Sequence, residues 1–270
     1  MSSAVGNAAA EARVASETAT VHDQSGFDVR FDWGEDGAER LAASDTLVIV
    51  DVLSFCTAVD VAVERGAIVY PYGFRGKTAA AFARKIGACL AAYRTQGSPG
   101  HSYSLSPASL RAIAPGTRLV LPSPNGAAIS TFAAGLGRPL LAGCLRNAAA
   151  VARATAGFGR VVGVIGAGER WPSGRLRPAV EDLIGAGAVI SGLGSTNLSP
   201  EAEAALAAFR AARSDLPARI RNCASGRELV AMGLTGDVRI AAELNVSVTA
   251  PHFSEAAYSR VEAGLSIDRS

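Results

Sequence analysis

No Cys-x-x-Cys pair occurs in this 270-residue sequence; its four cysteines, Cys56, Cys89, Cys144 and Cys223, stand far apart. That argues against a zinc site or a thioredoxin-type couple, and buried reduced thiols are expected. There is also no excess of one charge. The formal net charge is +2, with acids and bases interspersed, so the basic stripe that nucleic acid or an anionic membrane would need is missing. Uncharged runs such as LVLPSPNGAAISTFAAGLG are broken by Pro, Asn and Gly and do not read as membrane spans. Residues 1–25 lack the basic start and apolar centre of a signal peptide and read as a disordered tail, so the expected location is cytoplasmic.

Several catalytic signatures are absent as well. A cysteine phosphatase needs an Arg six positions after its Cys, and Ala62, Thr95, Ala150 and Leu229 stand there. Asp51 lacks the second Asp two positions on that aspartyl-phosphate phosphatases use as an acid. Gly-x-Ser-x-Gly occurs nowhere, and one of the three histidines, His22, lies in the expected tail. GFRGKTAA ends like a phosphate loop, but Pro71 occupies the place of its first glycine, so nucleotide binding by Gly76-Lys77-Thr78 is a weak alternative. VIGAGERW has two of the three dinucleotide-binding glycines, with Trp171 in place of the third.

What is present is a strong apolar rhythm. Hydrophobic residues make up 49% of the chain and charged ones 19%, enough for one large domain or two smaller ones. FDVRFDW alternates like an exposed strand and GAERLAAS has helical spacing. The continuous run DTLVIVDVL precedes a helix from about Thr57 to Arg65, then strand AIVYPY and helix KTAAAFARKIGACLAAY. Strands TRLVLPS, RPLLAGC and RVVGVIGAG then alternate with helices GAAISTFAAGL, RNAAAVARATAGF and RPAVEDLIGAGAVISGL. Such alternation indicates a three-layer α/β/α fold with a mostly parallel sheet covered on both faces. A helical region near the C-terminus follows, SPEAEAALAAFRAAR with Ser199 as N-cap and then RELVAMG, before an apolar strand near Val246 to Ala250. Residues 26–254 form the α/β region, with a division into two subdomains left open, and 255–270 read as a C-terminal tail.

In open α/β sheets ligands collect at the carboxyl ends of strands, where helix N-termini offer free N–H groups. Asp51 stands at such a junction and suits a ligand or a metal; its plain alternative is a helix cap. Asn125 with Gly126 forms a bend that can aim amides at an anion, or a simple turn. Arg146 and Asn147 occupy the next junction, where a guanidinium fork suits phosphate or carboxylate, or just solvent. The segment from Gly166 to Asp182 carries Glu169, Arg170, Arg175 and Arg177, then Pro178 at an expected helix start. Glu181 and Asp182 follow, pointing about 100° apart, so which of them faces the site stays open.

DVLSFCTAVDVAVERGA, SYSLSPASL, LVLPSPNGAAIS, CLRNAAAVA, EDLIGAGAVI and GLTGDVRIAAELNVSVTAP resemble, in order and spacing, the 2-phosphosulfolactate phosphatase (ComB-like) family. The likeness runs from about Phe31 to Phe253. It implies a Mg²⁺-dependent phosphatase that cleaves 2-phospho-3-sulfolactate, a step toward coenzyme M in methanogens.

Two motifs depart from that family. Ser54-Phe55-Cys56-Thr57 replaces Arg-Ala-(Ser or Thr)-Thr, and Pro122 to Ala128 replaces Thr-Thr-Asn-Gly-Thr-Arg, so two cations are missing. Charge-assisted contacts contribute roughly 1.5–3 kcal/mol each, and their loss points to a changed substrate or lost activity. The reading is therefore a phosphatase for a small anionic phosphoester, 2-phosphosulfolactate or a related phosphorylated acid. Asp51, Asn125, Arg146 and Asn147 are its catalytic candidates; Asp51 with Glu181 or Asp182 would hold Mg²⁺. A non-catalytic binder of a small anionic metabolite is the alternative. No nucleic acid or membrane partner is expected, and a homo-oligomer is left open.

Overall fold

The computed structural model describes residues 22–73, 76–92 and 103–260. Most of the expected N-terminal tail, residues 1–21, lies outside them. Gln24 is already tied down, its side chain bonding the Phe31 carbonyl at 2.7 Å and accepting the Phe31 N–H at 3.1 Å.

The strands that read as continuous apolar runs are buried on both faces. β1 (Val29–Trp33) is followed by α1 (Gly34–Arg40), β2 (Thr46–Val50), α2 (Phe55–Glu64), β3 (Ile68–Tyr72) and α3 (Lys77–Ile86). α3 ends at Ile86, before the expected helix does, because Gly87 turns left-handed at φ +63°. The pattern up to Tyr93 predicts continued helix; instead β4 (Cys89–Leu90) follows. Next come α4 (Pro107–Leu110), β5 (Arg118–Pro122), α5 (Gly126–Ala134), β6 (Leu140–Gly143), α6 (Ala148–Thr155) and β7 (Val162–Gly166).

A short hairpin, β8 (Glu169–Arg170) with β9 (Leu176–Arg177), leads into α7 (Val180–Leu193) and α8 (Pro200–Ala212). Ser199 caps α8 as expected, accepting the Ala202 N–H at 3.1 Å. Three short helices complete the region, α9 (Leu216–Asn222), α10 (Ala224–Ala231) and α11 (Thr235–Ala241). The last strands are β10 (Pro251–Ser254) and β11 (Ala257–Arg260). The strand expected at Val246 to Ala250 thus starts at Pro251. Sequence patterning assigns 255–270 to a tail, yet β11 lies inside the sheet with Tyr258 fully buried.

Nine strands form one sheet in the order β1-β7-β2-β6-β10-β11-β3-β5-β4. β1, β7, β2 and β6 are parallel, and so are β3, β5 and β4. The β10–β11 hairpin joins the two groups through antiparallel pairings to β6 and β3. Side chains alternate across the sheet. In β2, Val48 and Val50 enter a core with α6 to α11, while Leu47 and Ile49 enter a second core with α1, α2, α4 and α5. This is the three-layer α/β/α arrangement. α7 is apolar nearly all round because it packs on the sheet and against both α6 and α8. No helix among the described residues is long and apolar enough to cross a membrane.

Candidate active site

Asp51 directly follows β2 and is buried, and its carboxylate joins two helix starts. Oδ1 accepts the Phe55 N–H of α2 at 2.9 Å, and Oδ2 accepts the Gly126 N–H of α5 at 3.0 Å. The cap reading therefore holds for the hydrogen bonds, and it places the negative charge where two helix dipoles present their positive ends. Only glycine fits at 126: a Cβ there would lie 2.6 Å from Asp51 Oδ2 and from the Phe55 ring.

Asp182, in the first turn of α7, is also buried. Its Oδ1 accepts the Val52 N–H at 2.7 Å and its Oδ2 the Gly168 N–H at 2.9 Å, tying together the segments that follow β2 and β7. Burial, then the Asp51 charge, then Glu181 and more weakly Glu169, push its carboxyl well above the usual range, against the Val52 hydrogen bond. No Lys or Arg pairs with Asp182 among the described residues.

Its neighbour Glu181 turns elsewhere. It is buried beside Cys223, whose thiol is pushed up to about 12 by burial and by the Glu181 charge. The Glu181 Oε2 atom has no hydrogen-bond partner. Of the two adjacent acids, Asp182 is the one that meets the chain around Asp51, as the helical offset between neighbours requires.

A cavity of about 160 Å³ opens at the carboxyl ends of β1, β5 and β7; neither Asp51 nor Asp182 lines it, but Asn125 and Ala167 do, each one residue from the glycine whose N–H one of these acids accepts. Trp33, Glu35, Asp36, Asn125 and Arg170 are among the residues that line it. Asn125 donates to Glu169 Oε2 at 2.6 Å, and Arg170 lies 3.5 Å from Glu35. The β8–β9 hairpin forms one wall through Arg170 and Leu176. Pro178 does not open α7; its first residue is Val180, with Ala179 as N-cap. Glu35 and Asp36 went unnoticed in the sequence, although they follow β1 at the same kind of junction as Asp51.

Arg146 and Asn147 are occupied by other work. Arg146 donates to Asp60 at 2.9 Å and Glu64 at 3.3 Å, and pairs closely with Glu243. Burial opposes its charge, but Asp60 and its other acidic neighbours raise its pKa overall. Asn147, fully buried, accepts the Cys144 N–H at 2.8 Å and donates to the Ala142 carbonyl at 3.1 Å. Sequence reasoning offers these two side chains to a substrate anion; in the structure they are buried and their hydrogen bonds among the described residues all go to groups of the fold itself.

The residues fit a divalent cation as far as two ligands go. Asp51 and Asp182 are hard oxygen donors of the kind a hard divalent cation prefers. Mg²⁺ commonly takes one or two carboxylates and completes its shell with water and phosphate oxygens. Among the described residues no group of three or more His, Cys, Asp or Glu is placed to hold a metal.

No curated protein matches the chain. A family profile described as 2-phosphosulpholactate phosphatase matches residues 35–256, which include Asp51, Asn125, Glu181 and Asp182. With its three-layer fold and the acids gathered at the strand ends, the chain belongs to the 2-phosphosulpholactate phosphatase family, a family of phosphatases.

Proposed function

We propose that this chain is a cytoplasmic, Mg²⁺-dependent phosphatase of a small phosphorylated acid, with Asp51 and Asp182 as the metal ligands. The observation that carries this reading is the buried Asp51–Asp182 pair, held by backbone amides and with no arginine or lysine on Asp182. Two such charges in a low-dielectric setting call for a cation. When bound, Mg²⁺ would polarise the phosphoryl group and supply an activated water.

The chain's own residues do the positioning. Asp51 fixes the start of α5, so Asn125 and Ile129 line the cavity at the positive end of that helix. Arg170 offers its guanidinium from the hairpin wall, and the small volume suits a compact ester. Ser54, buried, stands where the family carries its first Arg, and the lining acids Glu35 and Asp36 oppose further negative charge. The substrate under this proposal therefore carries fewer anionic groups than 2-phosphosulfolactate. A non-catalytic anion binder is the second reading, favoured by Arg170 already pairing with Glu35.

Phosphate release should be measured over a panel of phosphorylated acids that includes 2-phosphosulfolactate, with Mg²⁺ and with EDTA. Release that needs the metal and falls at least about a hundredfold in Asp51→Asn, a loss of roughly 2.7 kcal/mol of transition-state stabilisation, supports the phosphatase. Turnover indifferent to EDTA removes the metal. No turnover, with anions raising the melting temperature, selects the binder.

A further inference from the structure

A second cavity lies away from the Asp51 site. It encloses about 450 Å³ beside α6 and the segment leading into β10, in the range of small-molecule sites. Arg260, one of its lining residues, donates to the carbonyl of Glu64, the last residue of α2, at 3.0 Å. Asp51 holds the first residue of that helix, so the length of α2, about 15 Å, separates the two places.

The lining is of two kinds. Ala154, Phe158 and Val248 give an apolar wall, and Val248 is 83% exposed, an unusual state for valine in a chain with this much buried core. Phe158 and His252 stack face to face, 5.2 Å apart at 18°, making a flat platform. Burial lowers the His252 pKa, which keeps the imidazole neutral and the platform uncharged. Against this wall stand two guanidinium groups. Arg153 is exposed and has no hydrogen bond or ion pair among the described residues, and Arg260 uses only one nitrogen on Glu64. No Asp or Glu lines the cavity to neutralise them.

We propose that this cavity is a second ligand site, for a flat aromatic molecule carrying one anionic group. The ring lies on the apolar wall by the Phe158–His252 stack, and its carboxylate or phosphate meets Arg153 and Arg260. The site is independent of the phosphatase reading, since the two share no residue.

Calorimetric titration with naphthoate and with adenosine monophosphate tests it and separates a carboxylate from a phosphate source. At least one should bind saturably with one-to-one stoichiometry. Cyclohexanecarboxylate and inorganic phosphate, each lacking the aromatic ring, should bind at least tenfold more weakly. Arg153→Gln, at an exposed position, should weaken binding at least tenfold, and Ala154→Phe should abolish it by filling the cavity. Asp51→Asn should bind as wild type, so a failed phosphatase assay leaves the result readable. Absence of saturable binding overturns the site, as does binding that survives Ala154→Phe in a protein with unchanged melting temperature. A dimer in sedimentation velocity that Val248→Lys dissociates, with neither probe competing, overturns it too and assigns the face to a second copy of the chain.

Discussion

Two buried charge clusters lie past the carboxyl ends of neighbouring strands, Asp51 with Asp182 after β2 and Arg146 with Asp60, Glu64 and Glu243 after β6. In the second, an arginine is surrounded by acids; its guanidinium has three partners within the chain. In the first, acids approach acids and the compensation comes from backbone amides alone on Asp182. A saturated buried cation stabilises one geometry of the fold and has little left for a ligand. An acidic pair whose like charges raise a carboxyl is the kind of arrangement that a cation can stabilise, and perturbed groups of this kind concentrate at functional sites.

The largest effect separating the two clusters is expected on stability. Arg146→Met leaves Asp60 buried with its counter-charge gone, and breaking such a pair costs about 3–5 kcal/mol. Chemical denaturation should show that loss, while turnover per folded molecule stays near wild type. A variant as stable as wild type but unable to bind phosphoester would return Arg146 to the active site.

The next contrast is in pH. Burial first, against Ser247 and Arg146, raises the Asp60 carboxyl from an ordinary value near 3.8 to about 6. Between these values the folded chain binds a proton that the unfolded chain has released, so stability present at low pH is lost as pH rises through about 6. That difference is worth roughly 3 kcal/mol. The unfolding free energy of wild type minus that of Asp60→Asn should therefore shrink by roughly 3 kcal/mol from pH 3 to pH 7. Parallel curves would mean that Arg146 keeps Asp60 ionised throughout.

The smallest expected effect concerns the adjacent acids of α7. With Mg²⁺ at a hundred times its dissociation constant, wild type should gain about 2.7 kcal/mol of stability. Glu181→Gln should keep most of this gain, because Glu181 faces Cys223, and Asp182→Asn should lose it. Equal responses from the two variants would remove Asp182 as the discriminating ligand.

Much of the layered architecture is legible in the sequence because burial on both faces writes itself as runs such as TLVIV, and an acid ending such a run stands out. Asp51 is found this way. The saturation of Arg146 is not legible, since Asp60 and Glu243 lie 86 and 97 residues away in the chain. An arginine at a strand end looks the same whether it faces a ligand or three carboxylates. β11 is equally hidden: AYSR is short and weakly apolar, and only its place between β10 and β3 makes it a strand of the sheet.

The sequence by itself determined the alternation of strands and helices, the cap at Ser199, and the order of motifs that marks the family. These follow from side-chain periodicity and capping chemistry, which act over a few residues. Tertiary structure alone decided that Asp182 and not Glu181 approaches the Asp51 loop, and that Arg146 is taken up inside the fold. It also decided that an apolar, arginine-bearing cavity forms at the far end of α2. Desolvation and charge pairing depend on which distant segments meet, and no local pattern records that.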